Sequence, residues 1–545
     1  MQHSTLAKRA WLLFFLAAVG FYFYGLGRPP FIGPDEPRYA EVAREMYMRG
    51  DLVTPTLGGY AWFEKPVLLY WIEMATFGAF GVSEWAARFG TAMSGLLTAL
   101  IIYRVGKRVE QDSAASEARG LGLMSGVALA SSVGLIGFSR GVNFDILLTL
   151  TLTLALACFF VAELEVDKKR RCWLLAGFYA AVGASLLAKG LVGIVLPGGI
   201  VAVYFTLRRE WPDRDLRLSA LWGIPLALVI AALWYAPVIA LHGWHFIDQF
   251  FIQHHFARFV SNKYHHPQRF YFYLLIAPLL VFPWTAFLAT SLGATSRWNW
   301  RAPVAEAKLR VFAFTWFVVP VIFFSFSRSK LPGYVLPALP GAALLVGGQL
   351  ARLLRNEGGT RAVRATGALL LLVAVAELVY VLRTDFMSTT CAIMIAAPLV
   401  IAGAFTLLQA HMRRICIVMI VCAVFGASIL VINCAVDRVA SRESVRDLLR
   451  LAAAHGYASS PVFHMHTTDY TAAYYAAGRL AYDADGKPVR YEGAFQVADA
   501  ARQNNAPILV FILSEYAWQL TDYQKIETEV IGDNGVVALV AVRAR

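Results

Sequence analysis

Charge and cysteine are what this sequence has least of. Only 16% of its 545 residues are charged against 58% hydrophobic, the mean hydropathy is +0.56, and a soluble chain would carry roughly 25% charge. That excludes a soluble multidomain protein. The six cysteines (Cys158, Cys172, Cys391, Cys416, Cys422, Cys434) lie in or beside apolar runs without CxxC spacing. A disulfide framework and a thiolate metal site are therefore excluded, and small apolar residues remain. There is no HExxH motif and no nucleic-acid motif, so the net charge of +13 is not a nucleic-acid footprint. No small-residue cleavage site follows the first apolar run, which begins behind Lys8-Arg9 and ends before Arg28-Pro29-Pro30; it reads as a retained span.

What is present is a series of apolar runs, each about 20 residues long and matched to a hydrocarbon core of roughly 30 Å. The expected fold class is a polytopic α-helical membrane protein. Thirteen spans are read, near 10–26, 85–105, 119–138, 142–162, 173–188, 190–207, 218–241, 271–290, 311–326, 332–351, 365–382, 390–409 and 415–435. Basic clusters fall in alternate loops: Lys8/Arg9, Arg104/Lys107/Arg108, Lys168 to Arg171, Arg208 to Arg217, Arg297 to Arg310, Arg352 to Arg364 and Arg413/Arg414. They place the N-terminus in the cytoplasm and the C-terminus outside, and they meet anionic lipid there. The run 66–80 is short and broken by Glu73; it reads as interfacial, because a span there would reverse the charge asymmetry.

After Asp437 the composition changes. Arg442 to His455 has amphipathic helical spacing, and Pro507–Ser514 and Gly535–Val542 read as strands. The predicted organisation is a transmembrane catalytic domain over 1–436, with external loops 27–84 and 242–270 carrying interfacial helices, and a small external α/β domain over 437–545.

The external loops hold the chemistry. In Gly33-Pro34-Asp35-Glu36-Pro37-Arg38-Tyr39-Ala40-Glu41 two adjacent acids open a helical pattern; Asp35 is expected either as its N-cap or as a carboxylate facing a reactive centre. Trp62-Phe63-Glu64-Lys65-Pro66 offers Lys65 to a phosphate and Glu64 to a metal or substrate, unless they form a plain surface ion pair. Asp145 stands at the outer end of a span, with Arg140 as its nearest structural partner in sequence, and Lys189 is poised similarly. The segment His242 to Arg269 contains six of the eleven histidines, namely His242, His245, His254, His255, His265 and His266. Its spacing hints at a metal and is equally that of interfacial histidines. Arg258 and Arg269 there suit phosphate. Ser327-Arg328-Ser329-Lys330-Leu331-Pro332-Gly333-Tyr334-Val335-Leu336-Pro337 is a proline- and glycine-shaped mouth of a span with two more cations. Positive loops over a bilayer fit a substrate joined to lipid through phosphate.

An acidic first external loop, many spans and an outer C-terminal domain resemble the plan of GT-C integral-membrane glycosyltransferases, relatives of the protein O-mannosyltransferases. More narrowly, the stretches 33–41, 63–66 and 329–337 resemble successive motifs of the bacterial undecaprenyl phosphate-aminoarabinose lipid A transferases. The likeness covers the chain to about residue 350. It implies transfer of 4-amino-4-deoxy-L-arabinose from undecaprenyl phosphate to a lipid A phosphate at the periplasmic face of the inner membrane, conferring resistance to polymyxin and cationic peptides. Under it Asp35 and Asp145 are the catalytic acids, and Arg38, Lys65, Arg258, Lys330 and Tyr334 bind the donor phosphate. Glu64, His255 and His265 would hold a divalent metal (Zn or Mg/Mn). Expected partners are the lipid-linked donor, the lipid A acceptor and membrane lipid; nucleic acid is not among them, and the chain is expected to act as a monomer. The alternatives are transfer to protein Ser/Thr or another envelope lipid, and a lipid-linked-sugar transporter without chemistry. Against the transporter, no inverted repeat is visible, and the polar residues gather at one face rather than at the midplane.

Overall fold

A computed structural model describes residues 2–112, 118–257, 268–384, 386–504 and 506–545, with side chains from residue 13 onward and, around the second gap, up to 254 and again from 268. In order come α1 (Gln2–Phe23), α2 (Asp35–Arg49), α3 (Leu68–Phe80), α4 (Glu84–Asp112), α5 (Leu121–Ala130), α6 (Val133–Phe138), α7 (Phe144–Leu164), α8 (Lys168–Lys189), α9 (Val192–Arg208) and α10 (Arg214–Ile247). Seven longer helices follow, Phe272–Leu280, Thr285–Gly293, Ala305–Ser325, Leu339–Leu354, Thr360–Thr384, Thr389–Leu408 and Arg413–Cys434, before the chain turns to mixed α/β structure. Contacts divide the chain into two compact units. One comprises Met1–Tyr24, Phe63–Leu69 and Phe89–Val431; the other comprises Gly25–Trp62, Tyr70–Arg88 and Ile432–Arg545.

The first unit is helical. Its helices start where short polar side chains take up first-turn N–H groups: Asn143 accepts from Ile146 N at 3.0 Å, Asp167 from Lys169 N at 3.2 Å and Asp213 from Leu216 N at 2.8 Å. The α7 helix packs on α8, and α8 on α10. A buried aromatic cluster joins Phe159, Phe160, Tyr204 and Phe205 to Phe312, with the Phe160 and Phe312 rings stacked at 4.9 Å. Among the described residues nine helices are long and apolar enough to cross a membrane, or ten if a bent pair counts as one span.

Several runs read as single spans are broken. The run 119–138 divides into α5 and α6 at Ser131-Ser132, whose hydroxyls bond back to the carbonyls of Val127 (2.6 Å) and Leu129 (2.8 Å). The amide of Val133 leaves the helix ladder for Phe282 O at 2.9 Å. In 271–290, Phe272–Leu280 and Thr285–Gly293 meet at 119°, and 332–351 opens as a 3-10 turn, Pro332–Ala338, because prolines stand at both ends of that turn. Such breaks are hidden from a hydropathy window, which sees composition and not backbone bonding.

The second unit holds α2, α3 and an α/β layer. A hairpin of β1 (Thr56–Leu57) and β2 (Tyr60–Ala61) closes through Gly58 and Gly59, both at positive φ (62° and 82°), the geometry a two-residue loop between right-twisted strands requires. Five strands, β3 (Val462–Met465), β4 (Arg490–Tyr491), β5 (Ile508–Leu513), β6 (Ile526–Asp533) and β7 (Val537–Ala544), form a sheet in the order β4-β3-β5-β7-β6. The β3 strand runs parallel to β4 and β5, while β7 is antiparallel to β5 and β6. The helix Ala494–Gln503 covers one face through Val497 and Ala501, over Phe463, Met465, Val510, Ile512 and Val540.

Candidate active site

The sequence-derived residues fall into both units, and each set is organised locally. In the helical unit Asp145 lies in the first turn of α7, behind the Asn143 cap, whose amide also donates to Phe138 O (2.6 Å) and Gly141 O (2.8 Å). Lys189 lies in the last turn of α8, where a cation is favoured by the helix dipole. Its ammonium forms an ion pair with Asp145 Oδ1, both side chains being about five-sixths buried (15% and 16% exposed), and it sits 4.5 Å from the centroid of the Tyr334 ring. A Cβ at position 333 would overlap the Asp145 carboxylate and the Phe138 ring. Gly333 is thus the residue that lets the Pro-Gly-Tyr turn come down onto the acid. Tyr273 fixes the same turn by donating to Leu331 O at 3.0 Å.

Arg140, the sequence neighbour expected to pair with Asp145, instead donates to the carbonyls of Phe21 (3.0 Å), Tyr22 (3.3 Å) and Tyr24 (2.5 Å). Five main-chain peptides of loop separate Arg140 from Asp145, whereas the end of α8 delivers Lys189 directly. Lys330 is 5% exposed and donates to Ser327 O and to Gln268 O, the latter at 3.1 Å. Burial pulls its ammonium below the usual lysine range. An ammonium carries three donors, and these two carbonyls take up two of them.

Glu64 and Lys65 follow the fully buried Phe63, both partly buried. Against Phe63 pack the rings of His242 (4.9 Å) and His245 (6.0 Å). These two histidines of the 242–270 segment therefore pack on the Phe63 ring. Arg258, His265 and His266 lie outside the described residues, as does the side chain of His255. Among the described residues no three His, Cys, Asp or Glu side chains converge as a metal cluster would. Glu64, the described member of the predicted metal set, does not by itself make a divalent site.

In the α/β unit, α2 begins at Asp35 itself, and Pro34 stands at the cap position without a side-chain bond. Asp35 is therefore not the N-cap expected from its spacing. It is half exposed (52%) and is held by Arg38, whose Nη2 lies 2.6 Å from Oδ1 while Nε donates to Pro34 O at 2.7 Å. The Arg38 guanidinium also stacks over Trp62 (5.6 Å) and Tyr470 (5.3 Å). A carboxylate so placed, at the positive end of a helix and oriented by a stacked arginine, is fixed in direction and open to solvent.

Beneath it runs a buried network that local sequence reading does not reveal. Arg88 of α4 binds Glu36 in a fork, Nε to Oε1 at 2.6 Å and Nη2 to Oε2 at 2.8 Å. Its other donors meet Leu26 O (2.9 Å), Pro29 O (2.7 Å) and Pro30 O (3.0 Å). One arginine thus locks the loop that leads to Asp35. Glu41 pairs with Arg44 at 2.5 Å, yet its carboxyl is pushed up to about 7 because burial outweighs that attraction. Glu73 of α3 is fully buried, and neither oxygen has a hydrogen-bond partner among the described residues. Burial, with the Glu36 charge, holds it well above the usual carboxylate range. The only sequence hint was an acid inside an apolar run.

The family model for dolichyl-phosphate-mannose-protein mannosyltransferase matches residues 31–298. An undecaprenyl phosphate-α-4-amino-4-deoxy-L-arabinose arabinosyl transferase of Pseudomonas aeruginosa (strain UCBPP-PA14) is 32% identical over 381 residues, 68% of this chain and 66% of its own length. The chain thus spans just under two thirds of that relative. A second transferase of the same name, from Proteus mirabilis (strain HI4320), is 32% identical over 400 residues, 71% of this chain and 68% of its own. In three dimensions the chain is similar to the crystal structure of ArnT from Cupriavidus metallidurans bound to undecaprenyl phosphate, with a TM-score of 0.77, 23% identity and 98% of each chain covered. The apo state of the same protein gives a TM-score of 0.76. The multi-pass helical architecture is therefore the GT-C fold, and the chain belongs to the undecaprenyl phosphate-aminoarabinose arabinosyl transferase family.

Proposed function

We propose that this protein transfers 4-amino-4-deoxy-L-arabinose from undecaprenyl phosphate to a lipid A phosphate, on the periplasmic face of the bacterial inner membrane. In this reading it crosses the bilayer thirteen times, works as a monomer, and carries residues 437–545 as an external domain. The observation that carries the reading is the 32% identity to a transferase of that name over 400 residues.

The chemistry follows from the charges. A phosphate acceptor is already ionised at neutral pH and needs no general base; its difficulty is that two anions must approach. Lys65, Lys330, Arg38 and Arg258 neutralise the leaving carrier phosphate, and the Tyr334 hydroxyl is a further donor to it. Lys189 pairs with Asp145 and fixes the direction of its carboxylate. Asp35 steadies the positive charge that develops on the sugar as the bond to the carrier phosphate breaks, or holds its ammonium. Glu64 and the histidines of the 242–270 segment would ligate a divalent ion, which would add charge neutralisation.

The test is mass spectrometry of lipid A from cells that make the donor but lack their own transferase. Expression of this chain is expected to add a pentosamine, and Asp35→Asn at equal membrane level is expected to abolish the addition. Unmodified lipid A with well-expressed parent refutes the assignment. The match to the mannosyltransferase family model favours one second reading, sugar transfer to protein Ser/Thr; a glycosylated envelope protein in the same cells would identify it.

A further inference from the structure

The carboxyl edge of the sheet in the α/β unit carries a second constellation. In the strand order β4-β3-β5, β3 comes first in the chain, its successor β4 lies on one side, and β5 returns to the other. The gap beyond the carboxyl ends of β3 and β5 is thus a topological switch point, where open α/β sheets take their ligands. His466 follows β3, Glu492 follows β4, and Ser514, Tyr516, Trp518 and Gln519 follow β5.

These residues look arranged for contact. His466 adopts φ of 60°, a left-handed conformation that strains a β-substituted residue and recurs at ligand sites. Its Nε2 lies 2.7 Å from Gln519 Oε1, so the switch point is bridged side chain to side chain; its ring meets Tyr516 edge-on at 5.9 Å. Ser514 Oγ is buried there without a hydrogen-bond partner among the described residues. The segments that leave the carboxyl ends of β4 and β5 also carry three aromatic rings open to solvent, Phe495 (61% exposed) after β4 and Tyr516 (38%) and Trp518 (58%) after β5.

We infer that this edge, formed by His466, Gln519, Tyr516, Trp518 and Phe495, is a saccharide-binding site. Flat rings accept the C–H face of a sugar, and imidazole, amide and carboxylate accept or donate to its hydroxyls. A phosphate or an anionic lipid surface would call for unpaired cations. Arg490 at this edge is instead held by Glu492 at 2.9 Å. The inference does not rest on the proposed transfer reaction, because binding is read without a donor.

The experiment uses the full chain in phosphatidylcholine nanodiscs, titrated with an unphosphorylated β-1,6-linked glucosamine disaccharide and, separately, with inorganic phosphate. The disaccharide is expected to bind and phosphate not to compete. Trp518→Ala and His466→Gly are expected to weaken binding about tenfold, the effect of losing one stacked ring or polar anchor. Glycine accepts positive φ, so His466→Gly keeps or raises the melting temperature and separates lost contact from lost fold. A second arm presents the disaccharide on glycolipid vesicles; tighter binding there than to the free sugar assigns the ligand to a membrane glycolipid, and equal binding to a free oligosaccharide. No disaccharide binding by the parent, binding unchanged in both variants, or variants that lose only attachment to plain phospholipid vesicles would each overturn the inference.

Discussion

Arg88→Met removes the guanidinium that holds the approach to Asp35, and its effect can be worked from the contacts. The pair is buried, with 2% of the Arg88 and 10% of the Glu36 side chain exposed. The variant leaves Glu36 as a buried charge without its arginine, still accepting from the Ile32 amide at 3.3 Å, and it takes the Arg88 donor away from three carbonyls. Breaking one side of such a pair is worth about 3–5 kcal/mol. Because the network sits at the start of α2, the loss falls on local opening of that helix before it reaches the whole molecule. At about 1.4 kcal/mol per decade it raises amide exchange over residues 35–49 by roughly 100- to 4,000-fold. Hydrogen–deuterium exchange of detergent-solubilised protein measures this directly. Adding Glu36→Leu removes the stranded charge and is expected to restore much of the protection, since replacing a buried pair by apolar groups is often neutral. Exchange within threefold of the parent in Arg88→Met would refute the argument, and an equally large loss in the double variant would show that the carbonyl contacts, not the ion pair, carry the loop.

Three further outcomes follow. Glu41 has a folded pKa of about 7 against about 4.5 in the unfolded chain, so its contribution is fully present below pH 4.5 and is lost as pH rises to about 7. The window of about 2.5 units corresponds to roughly 3 kcal/mol, and a melting series from pH 4.5 to 7.5 is expected to show Glu41→Gln with a flatter profile than the parent; identical profiles contradict it. Asp145→Asn and Lys189→Met are each expected to lower transfer at least 100-fold, and the double variant no further, because each strands the other's charge in a mostly buried place; additive losses would mean that the two act separately. If Glu64 contributes to a divalent site, EDTA treatment of purified protein removes activity and added Zn, Mg or Mn restores it; activity untouched by chelation removes the metal from the account.

The apolar runs of α7, α8 and Thr389–Leu408 are long, and Asn143, Asp167 and Ser388 mark their starts, so their places follow from hydropathy and cap chemistry alone. Strands β5 and β7 were visible as β-branched and apolar stretches bounded by turns, and they lie within three residues of the expected ends. Of the two roles that the spacing allows Asp35, the cap falls away, because helical backbone already begins at Asp35 behind Pro34 and composition does not show that.

The sequence by itself determined a polytopic helical membrane protein with a mixed α/β C-terminal region, and it named the loops that hold the candidate acids and cations. Hydrophobic length and alternation are local properties, legible one window at a time. Tertiary structure alone decided the pairings: Glu36 with Arg88, 52 residues away, Asp145 with Lys189, 44 residues away, and Gly333 against the Asp145 carboxylate. It alone placed His466 and Gln519 side by side from the segments that follow two different strands. A buried charge takes whichever partner the packing of distant helices brings within reach, and no sequence spacing encodes that distance.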